Sequence, residues 1–576
     1  SYPIAKNGRK GIKLSFEKSS EKGQCSIKLK DDNATITYST SAQAGRGVGA
    51  LLSGLVSKTA GYSESTPFEM LGIMLDCSRN AVMLPERIKL WLRRLSLLGY
   101  NMVMLYTEDT YQLEDEPWFG YQRGPYSAEE IKEIDEYANS LGIEIIPCIQ
   151  TLGHLEKILR HGAYGNIRDT SSVMLVDEPK TYELIEKMLV FWKNTCKTRR
   201  IHIGMDETHD LGRGRYLDKN GYKHGFELFN KHLAKVTKLC KKHDLKPMIW
   251  SDMYFRLGSK NRDYYDLNSV IPKNVIDKIS PDAELVYWDY YHGKKEFYLE
   301  MIDRHRKMNK EPLVGSGIWT WDKYWYDSIT TEKNAGACVD ACYEAKIKEL
   351  FFTQWGDNGA YCDHDSAFAG MVFCADKSYG TQKPAKSKLE KRFASVCGGS
   401  YAAHIIAAKT QGGVRKFNPN MWDDPIYETH LRNKSNDSHT DIAKVAKGFA
   451  TIANQLEAHK DDRATGDLLY GYHMAKAFAS RYGLFAEMLG AYRKKDRRTL
   501  KKLTSRIPAV VADIQNMELS FRNMWLCHNK PEGLETIQAR FGMLEARYRE
   551  LTRRLNEYAS GKIESIPEFE YKCPPA

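Results

Sequence analysis

The 576-residue sequence has no apolar run approaching the roughly 20 residues that a membrane-spanning helix needs, so membrane insertion is not expected. It also lacks C-x-x-C spacing. Its 12 cysteines are scattered, and Cys77 and Cys148 fall inside apolar runs where a free thiol packs as a small hydrophobe. Neither a structural zinc site nor a disulfide framework is expected, and a reducing cytoplasm fits best. The start, Ser1-Tyr2-Pro3, carries no basic segment followed by an apolar stretch; the alternative to a cytoplasmic protein is a secreted or periplasmic one whose leader has been removed. Neither sign of charge dominates. The 85 basic and 74 acidic residues leave a formal +11, and the basic residues are mixed with acids, as in Arg493-Lys494-Lys495-Asp496-Arg497-Arg498. Such a stretch reads as a solvated helix end, so no nucleic-acid partner is expected. No internal repeat or low-complexity tract stands out.

What is present is length enough for two or three domains. Residues 1–67 alternate apolar and polar positions. Ile12–Phe16, Cys25–Leu29 and Ala34–Tyr38 read as strands, followed by a Gly-rich helix at Gly47–Leu52; this is a small α/β domain. Tyr62–Pro67, rich in Ser, Glu, Thr and Pro, suits a linker. From 68 to 380 short β-rich runs alternate with helical segments. The runs are Gly72–Cys77, Met102–Tyr106, Ile143–Ile149, Arg200–Met205, Lys246–Ser251, Glu284–Trp288, Leu313–Ile318 and Glu349–Thr353. Most are apolar throughout, as parallel strands buried on both faces must be. Ser127-Ala128-Glu129-Glu130 reads as a capping box opening one of the helices. Eight strands alternating with helices predict an α/β fold of the (β/α)8 TIM-barrel type, with an open doubly wound sheet as the rival. Residues 381–576 read as an α-helical domain. Thr465–Lys494 and Leu500–Asn529 are predicted long helices, and Ile537, Phe541, Leu544, Tyr548, Leu551 and Leu555 form an apolar seam on a third.

Barrel enzymes carry their chemistry where strands end. After the fourth predicted strand comes His202-Ile203-Gly204-Met205-Asp206-Glu207, ending in two adjacent carboxylates. Adjacent acids repel, and a pair with divided tasks and separated pKa values is one reason to keep them. The plain alternative is a strand ending in two solvated acids. A metal-dependent hydrolase would need clustered histidine ligands, whereas the strand ends carry only lone histidines; no metal or cofactor is expected.

That segment resembles the H-x-G-G-D-E signature of glycoside hydrolase family 20, the β-N-acetylhexosaminidases. Further similarities follow in order: Gly72 to Arg79 to the first-strand R-G-x-x-L-D-x-x-R, Pro147 through Gly153-His154 to the third-strand motif ending in G-H, Trp250-Ser251-Asp252 to the fifth-strand tryptophan motif, Trp288 to the sixth, and Trp355-Gly356-Asp357 to the eighth-strand W-x-E. There are departures. Leu71 stands where the family has Arg, Met205 replaces the second Gly of the signature, and Asp357 replaces Glu. The second strand ends Thr107-Glu108-Asp109 in place of T-D-D, and the seventh reads Ile318-Trp319-Thr320-Trp321-Asp322 in place of Y-x-D. The resemblance implies a retaining exo-glycosidase that releases terminal β-linked N-acetylhexosamine, GlcNAc and/or GalNAc, from an oligosaccharide or glycoconjugate. The 2-acetamido group would act as nucleophile and pass through an oxazolinium. Glu207 would be the general acid and then base, and Asp206 would hold the acetamido N–H. Arg79 and Asp357 would bind sugar hydroxyls and His154 would pair with an acid. Trp250, Trp288, Trp321 and Trp355 would wall the pocket, with Tyr290 as candidate partner of the acetamido oxygen. The alternative is a non-catalytic or differently specific sugar-binding barrel.

Overall fold

The computed structural model describes residues 11–438, 441–462 and 464–571; Ser1-Tyr2-Pro3 lies outside the described residues. The chain forms two compact units. One comprises Ser1–Ile318, Thr331–Trp355 and Val372–Val396; the other comprises Trp319–Thr330, Gly356–Met371 and Cys397–Ala576.

The first unit opens with a four-stranded sheet made of β1 (Lys13–Lys18), β2 (Gln24–Lys30), β3 (Asn33–Tyr38) and β4 (Tyr62–Ser65), in the order β1-β3-β2-β4. Tyr62–Ser65 is therefore a strand, antiparallel to β2, and not the linker its composition suggests. Its polar side chains are compatible with an edge position, where only one of its flanks needs a partner. Leu14 and Phe16 alternate as a half-buried strand would, yet they are 40% and 50% exposed because β1 forms the opposite edge. The core of this sheet is Cys25, Ile27, Ile36 and Ala50. The helix Ser41–Leu52 supplies Ala50 and packs on the helix Pro85–Leu98. Glycine permits that approach: a Cβ on Gly49 would stand 2.1 Å from the Leu97 carbonyl oxygen. The same helix carries Arg46, fully buried, whose guanidinium binds Glu64 at 2.8 Å and Asp376 at 2.5 Å, while Arg392 reaches Asp376 at 2.8 Å.

The rest of this unit is built on a closed barrel of eight parallel strands: β5 (Met70–Asp76), β6 (Met102–Tyr106), β7 (Glu144–Cys148), β8 (Arg200–His202), β9 (Lys246–Trp250), β10 (Glu284–Trp288), β11 (Leu313–Gly317) and β12 (Glu349–Gln354), with β12 returning to β5. Every predicted run holds one strand, and closure excludes the open sheet. All seven residues of β5 and all five of β6 are buried, which is why these runs are apolar throughout. The capping box forms as predicted: the Ser127 hydroxyl accepts the Glu130 N–H at 3.2 Å, the Glu130 carboxylate accepts the Ser127 N–H at 2.9 Å, and the helix runs Ala128–Ser140. β7, β9 and β11 lose one or two terminal residues of their predicted runs, and β8 loses three. β8 stops at His202 because Gly204, Met205 and Glu207 have φ of 70°, 75° and 51°, a left-handed path that cannot continue a ladder.

The second unit is helical. Leu468–Arg493 and Leu534–Ser560 are single helices, and all six residues of the predicted seam on the latter are buried. Leu500–Asn529 is not one helix. It divides into Arg497–Thr504 and Ile507–His528, with Pro508 in the first turn of the second, where its missing N–H costs nothing. Among the described residues, no helix is long and apolar enough to cross a membrane.

Candidate active site

Strand ends of the barrel bring His154, Asp206 and Glu207 into contact. The His154 Nε2 lies 3.2 Å from Asp206 Oδ2 and 3.5 Å from Glu207 Oε2. Asp206 is buried, so it is not the solvated strand-end acid of the plain alternative. Its other oxygen accepts the Gln150 side-chain N–H at 2.8 Å. Burial opposes its charge, but His154 and the Gln150 hydrogen bond prevail and hold the carboxyl at about 2. For His154, burial likewise opposes the charged form, and the Asp206 carboxylate overcomes it, raising the imidazole to about 9.

Gln150 is the hub beneath Asp206. Its amide also donates to the Tyr106 hydroxyl at 3.0 Å and accepts the Met205 N–H at 3.3 Å, so one side chain holds both the carboxylate and the backbone turn that presents it. His202, fully buried, is a floor residue. It accepts the Gly204 N–H at 3.1 Å and packs on Trp250 with ring centroids 4.3 Å apart. Burial lowers its pKa to about 3, so it stays neutral.

Arg79 follows β5 and is clamped. Its guanidinium binds Glu108 at 3.0 Å and Asp76 at 3.2 Å, and lies 4.6 and 4.8 Å from the ring centroids of Tyr106 and Trp355, which meet each other edge-to-face at 4.7 Å. This is a partly buried cation against an aromatic pair, unlike a surface ion pair. Glu108 also lies 3.8 Å from Arg123. Trp250 packs toward Trp355, centroids 6.2 Å apart. Trp288 stacks on Tyr290 at 5.1 Å, and Tyr290 is buried, with hydrogen bonds from the Thr353 and Trp355 side chains. Trp288 donates its indole N–H to Asp252, which in turn accepts the Glu207 backbone N–H. Arg79, His154, Trp250, Trp288, Tyr290 and Trp355 thus join the two carboxylates in one network of contacts.

Trp321 and Asp357 belong to the second unit. There Trp321 stacks on Trp319, centroids 4.2 Å apart and 18° from parallel, and Asp357 opens the short turn Asp357–Gly359. Sequence reasoning assigned no role to Tyr106, Glu108, Gln150 or Asp252. Glu108, Gln150 and Asp252 stood inside quoted motifs, which was the available signal.

Two groups among the described residues bring three ligand-type atoms within 4.8 Å: His154, Asp206 and Glu207, and in the second unit Asp363, Asp365 and His528.

Two family models match the chain: the glycosyl hydrolase family 20 catalytic domain over residues 68–273, and the Glycoside Hydrolase 20C C-terminal domain over residues 418–575. The chain belongs to glycoside hydrolase family 20. Human hexosaminidase D is 28% identical over 253 residues, covering 40% of this chain and 48% of that protein. Bovine hexosaminidase D is 26% identical over 242 residues, covering 39% of this chain and 62% of that protein. The chain thus spans about half to three fifths of the length of these relatives. A family 20 exo-β-N-acetylglucosaminidase from Vibrio harveyi, solved with N-acetylglucosamine, superposes with a TM-score of 0.51 at 17% identity, over 66% of this chain and 67% of that one. The chitobiase of Flavobacterium johnsoniae gives 0.51 at 16% identity, over 87% and 86%. At these identities the likeness speaks for the shared fold.

Proposed function

We propose that the chain is a retaining exo-β-N-acetylhexosaminidase acting on terminal GlcNAc and/or GalNAc of oligosaccharides or glycoconjugates, with the substrate's acetamido group as nucleophile. The observation that carries this is the pairing of two unequal carboxylates. Asp206 is buried and locked in the charged form, whereas the Glu207 side chain keeps 34% of its surface. A carboxylate that cannot take up a proton near neutrality is suited to steadying positive charge, and the accessible one to moving a proton.

In the first step the Glu207 carboxyl gives its proton to the glycosidic oxygen as the C1–O bond breaks. The acetamido carbonyl oxygen closes on C1 from the same sugar, with an effective molarity on the order of 10⁵ M or more. Asp206 accepts the acetamido N–H and offsets the oxazolinium charge. His154 lies 3.5 Å from the Glu207 carboxyl. In the second step Glu207 takes a proton from water, whose oxygen attacks C1 as the bond from C1 to the acetamido oxygen breaks, re-forming the acetamido group and restoring the β configuration. Arg79, fixed by Asp76 and Glu108, would present its remaining donors to sugar hydroxyls. Trp250, Trp288 and Trp355 would wall the sugar, and Tyr290 would meet the acetamido oxygen. Ten buried cysteines among the described residues fit a reducing compartment.

Release of p-nitrophenol from the β-N-acetylglucosaminide and β-N-acetylgalactosaminide tests this, with the anomer of the first-formed sugar read by NMR. β-Anomer product is expected. No hydrolysis of either glycoside would favour a sugar-binding barrel.

A further inference from the structure

Asp252 is a third acid at this site, and it does something different from the other two. It opens the helix Asp252–Gly258 directly after β9, and its side chain has no exposed surface. Its Oδ2 accepts the Glu207 backbone N–H at 3.1 Å, and its Oδ1 accepts the Trp288 indole N–H at 3.3 Å. With both oxygens engaged and buried, Asp252 is not placed to meet a substrate.

Glu207 is held in a conformation it would not choose. Its φ of 51° is left-handed, a conformation disfavoured for a non-glycine residue, and Met205 two residues earlier has φ of 75°. Such geometry persists only where the surroundings impose it. Two hydrogen bonds do so at Glu207: its N–H goes to Asp252, and its carbonyl accepts the His209 N–H at 2.7 Å. The Cα–Cβ direction follows from this backbone, so the same bonds set the carboxyl beside His154. Burial first, and then the Asp206 charge, push the Asp252 carboxyl well above the usual range.

We propose that Asp252 is a positioning residue for the proton donor: by accepting the Glu207 amide it fixes the left-handed turn that aims the Glu207 carboxyl, and by accepting the Trp288 indole it ties that turn to the aromatic wall. The inference rests on the assignment of Glu207 as general acid.

The test compares wild type, Asp252→Ala and Asp252→Asn on two substrates. One is chitobiose, whose leaving group needs a proton; the other is the 2,4-dinitrophenyl N-acetyl-β-glucosaminide, whose leaving group does not. Asp252→Ala should lower kcat on chitobiose roughly 100-fold, the lower end of what a positioned acid contributes, and on the dinitrophenyl substrate no more than about threefold. KM should hold within about threefold on both, since no direct substrate contact is removed. Asp252→Asn, neutral and isosteric, keeps an acceptor for Glu207 and should recover most of the chitobiose rate. Should Asp252→Ala fail to fold, Asp252→Ser, polar but too short to reach the amide, gives the same readout. Equal losses on both substrates, or a change confined to KM, would overturn the positioning role while leaving the glycosidase assignment standing. A wild type inactive on both substrates would overturn the glycosidase assignment and the inference with it.

Discussion

Replacing Asp206 by Asn removes a charge and almost no volume, so its consequences can be followed through one contact. In the wild type, Asp206 lifts His154 from 6.5 to about 9 against burial, a difference of roughly 3 kcal/mol at 1.36 kcal/mol per unit. The raised histidine stabilises the fold fully below pH 6.5, and that contribution is lost as pH rises through about 9. The depressed Asp206 stabilises above pH 3.8, and its contribution is lost as pH falls through about 2. The pair is one interaction, counted once, and is strongest between about pH 4 and 6.5. In Asp206→Asn, burial acts on His154 with its main opponent gone, so its pKa should fall to 6.5 or below. Stability at pH 6 should drop by roughly 1–3 kcal/mol, less than the full pair because a buried charge is also removed. Catalysis should suffer independently of leaving group. A loss of about 2–4 kcal/mol of oxazolinium stabilisation is a fall of roughly 30- to 1,000-fold in kcat, even on a p-nitrophenyl glycoside. Proton NMR titration of the histidine ring signals, urea unfolding at pH 6 and 9.5, and initial rates measure the three effects. A His154 pKa unchanged in the variant, or full activity on the activated substrate, would refute the reasoning.

Other expectations follow from the same geometry. Glu207→Gln should abolish cleavage of chitobiose while retaining much more activity on a dinitrophenyl glycoside, because only the former needs proton assistance; equal losses on the two would contradict the role of Glu207. Arg79→Lys loses the fork that binds Asp76 and Glu108 and the contact of the guanidinium with the Tyr106 and Trp355 rings, so KM should rise by about tenfold or more, measured by steady-state kinetics. Arg46→Ala leaves Glu64 and Asp376 buried beside fewer cations and should cost about 3–5 kcal/mol in urea unfolding. A loss below about 1 kcal/mol would mean that Arg392, which reaches both acids, and Lys388, 2.6 Å from Glu64, suffice to neutralise them.

The barrel was legible because a strand buried on both faces has little freedom of composition, and all eight apolar runs contain one. The elements that were misread are those whose fate depends on neighbours. Tyr62–Ser65 is a strand only because β2 offers it an edge, and nothing in four polar-leaning residues announces that. The break before Ile507 was visible in principle, since Pro508 cannot continue a helix inward from its N-terminal turn. At the site, Asp206, Glu207, Arg79 and His154 stood out through motif spacing. Gln150 and Asp252 did not, because their importance lies in which backbone amides they meet across the barrel. The strain at Glu207 that makes Asp252 matter is a property of φ, which spacing does not encode.

The most direct measurement compares p-nitrophenyl N-acetyl-β-glucosaminide with p-nitrophenyl β-glucoside on the wild-type protein. The two differ only in the acetamido group, which is proposed to be the nucleophile. Turnover of the first, with the second nearly inert, is the expected result. Rapid hydrolysis of the glucoside would mean that the nucleophile belongs to the protein, and the role proposed for Asp206 would have to be abandoned.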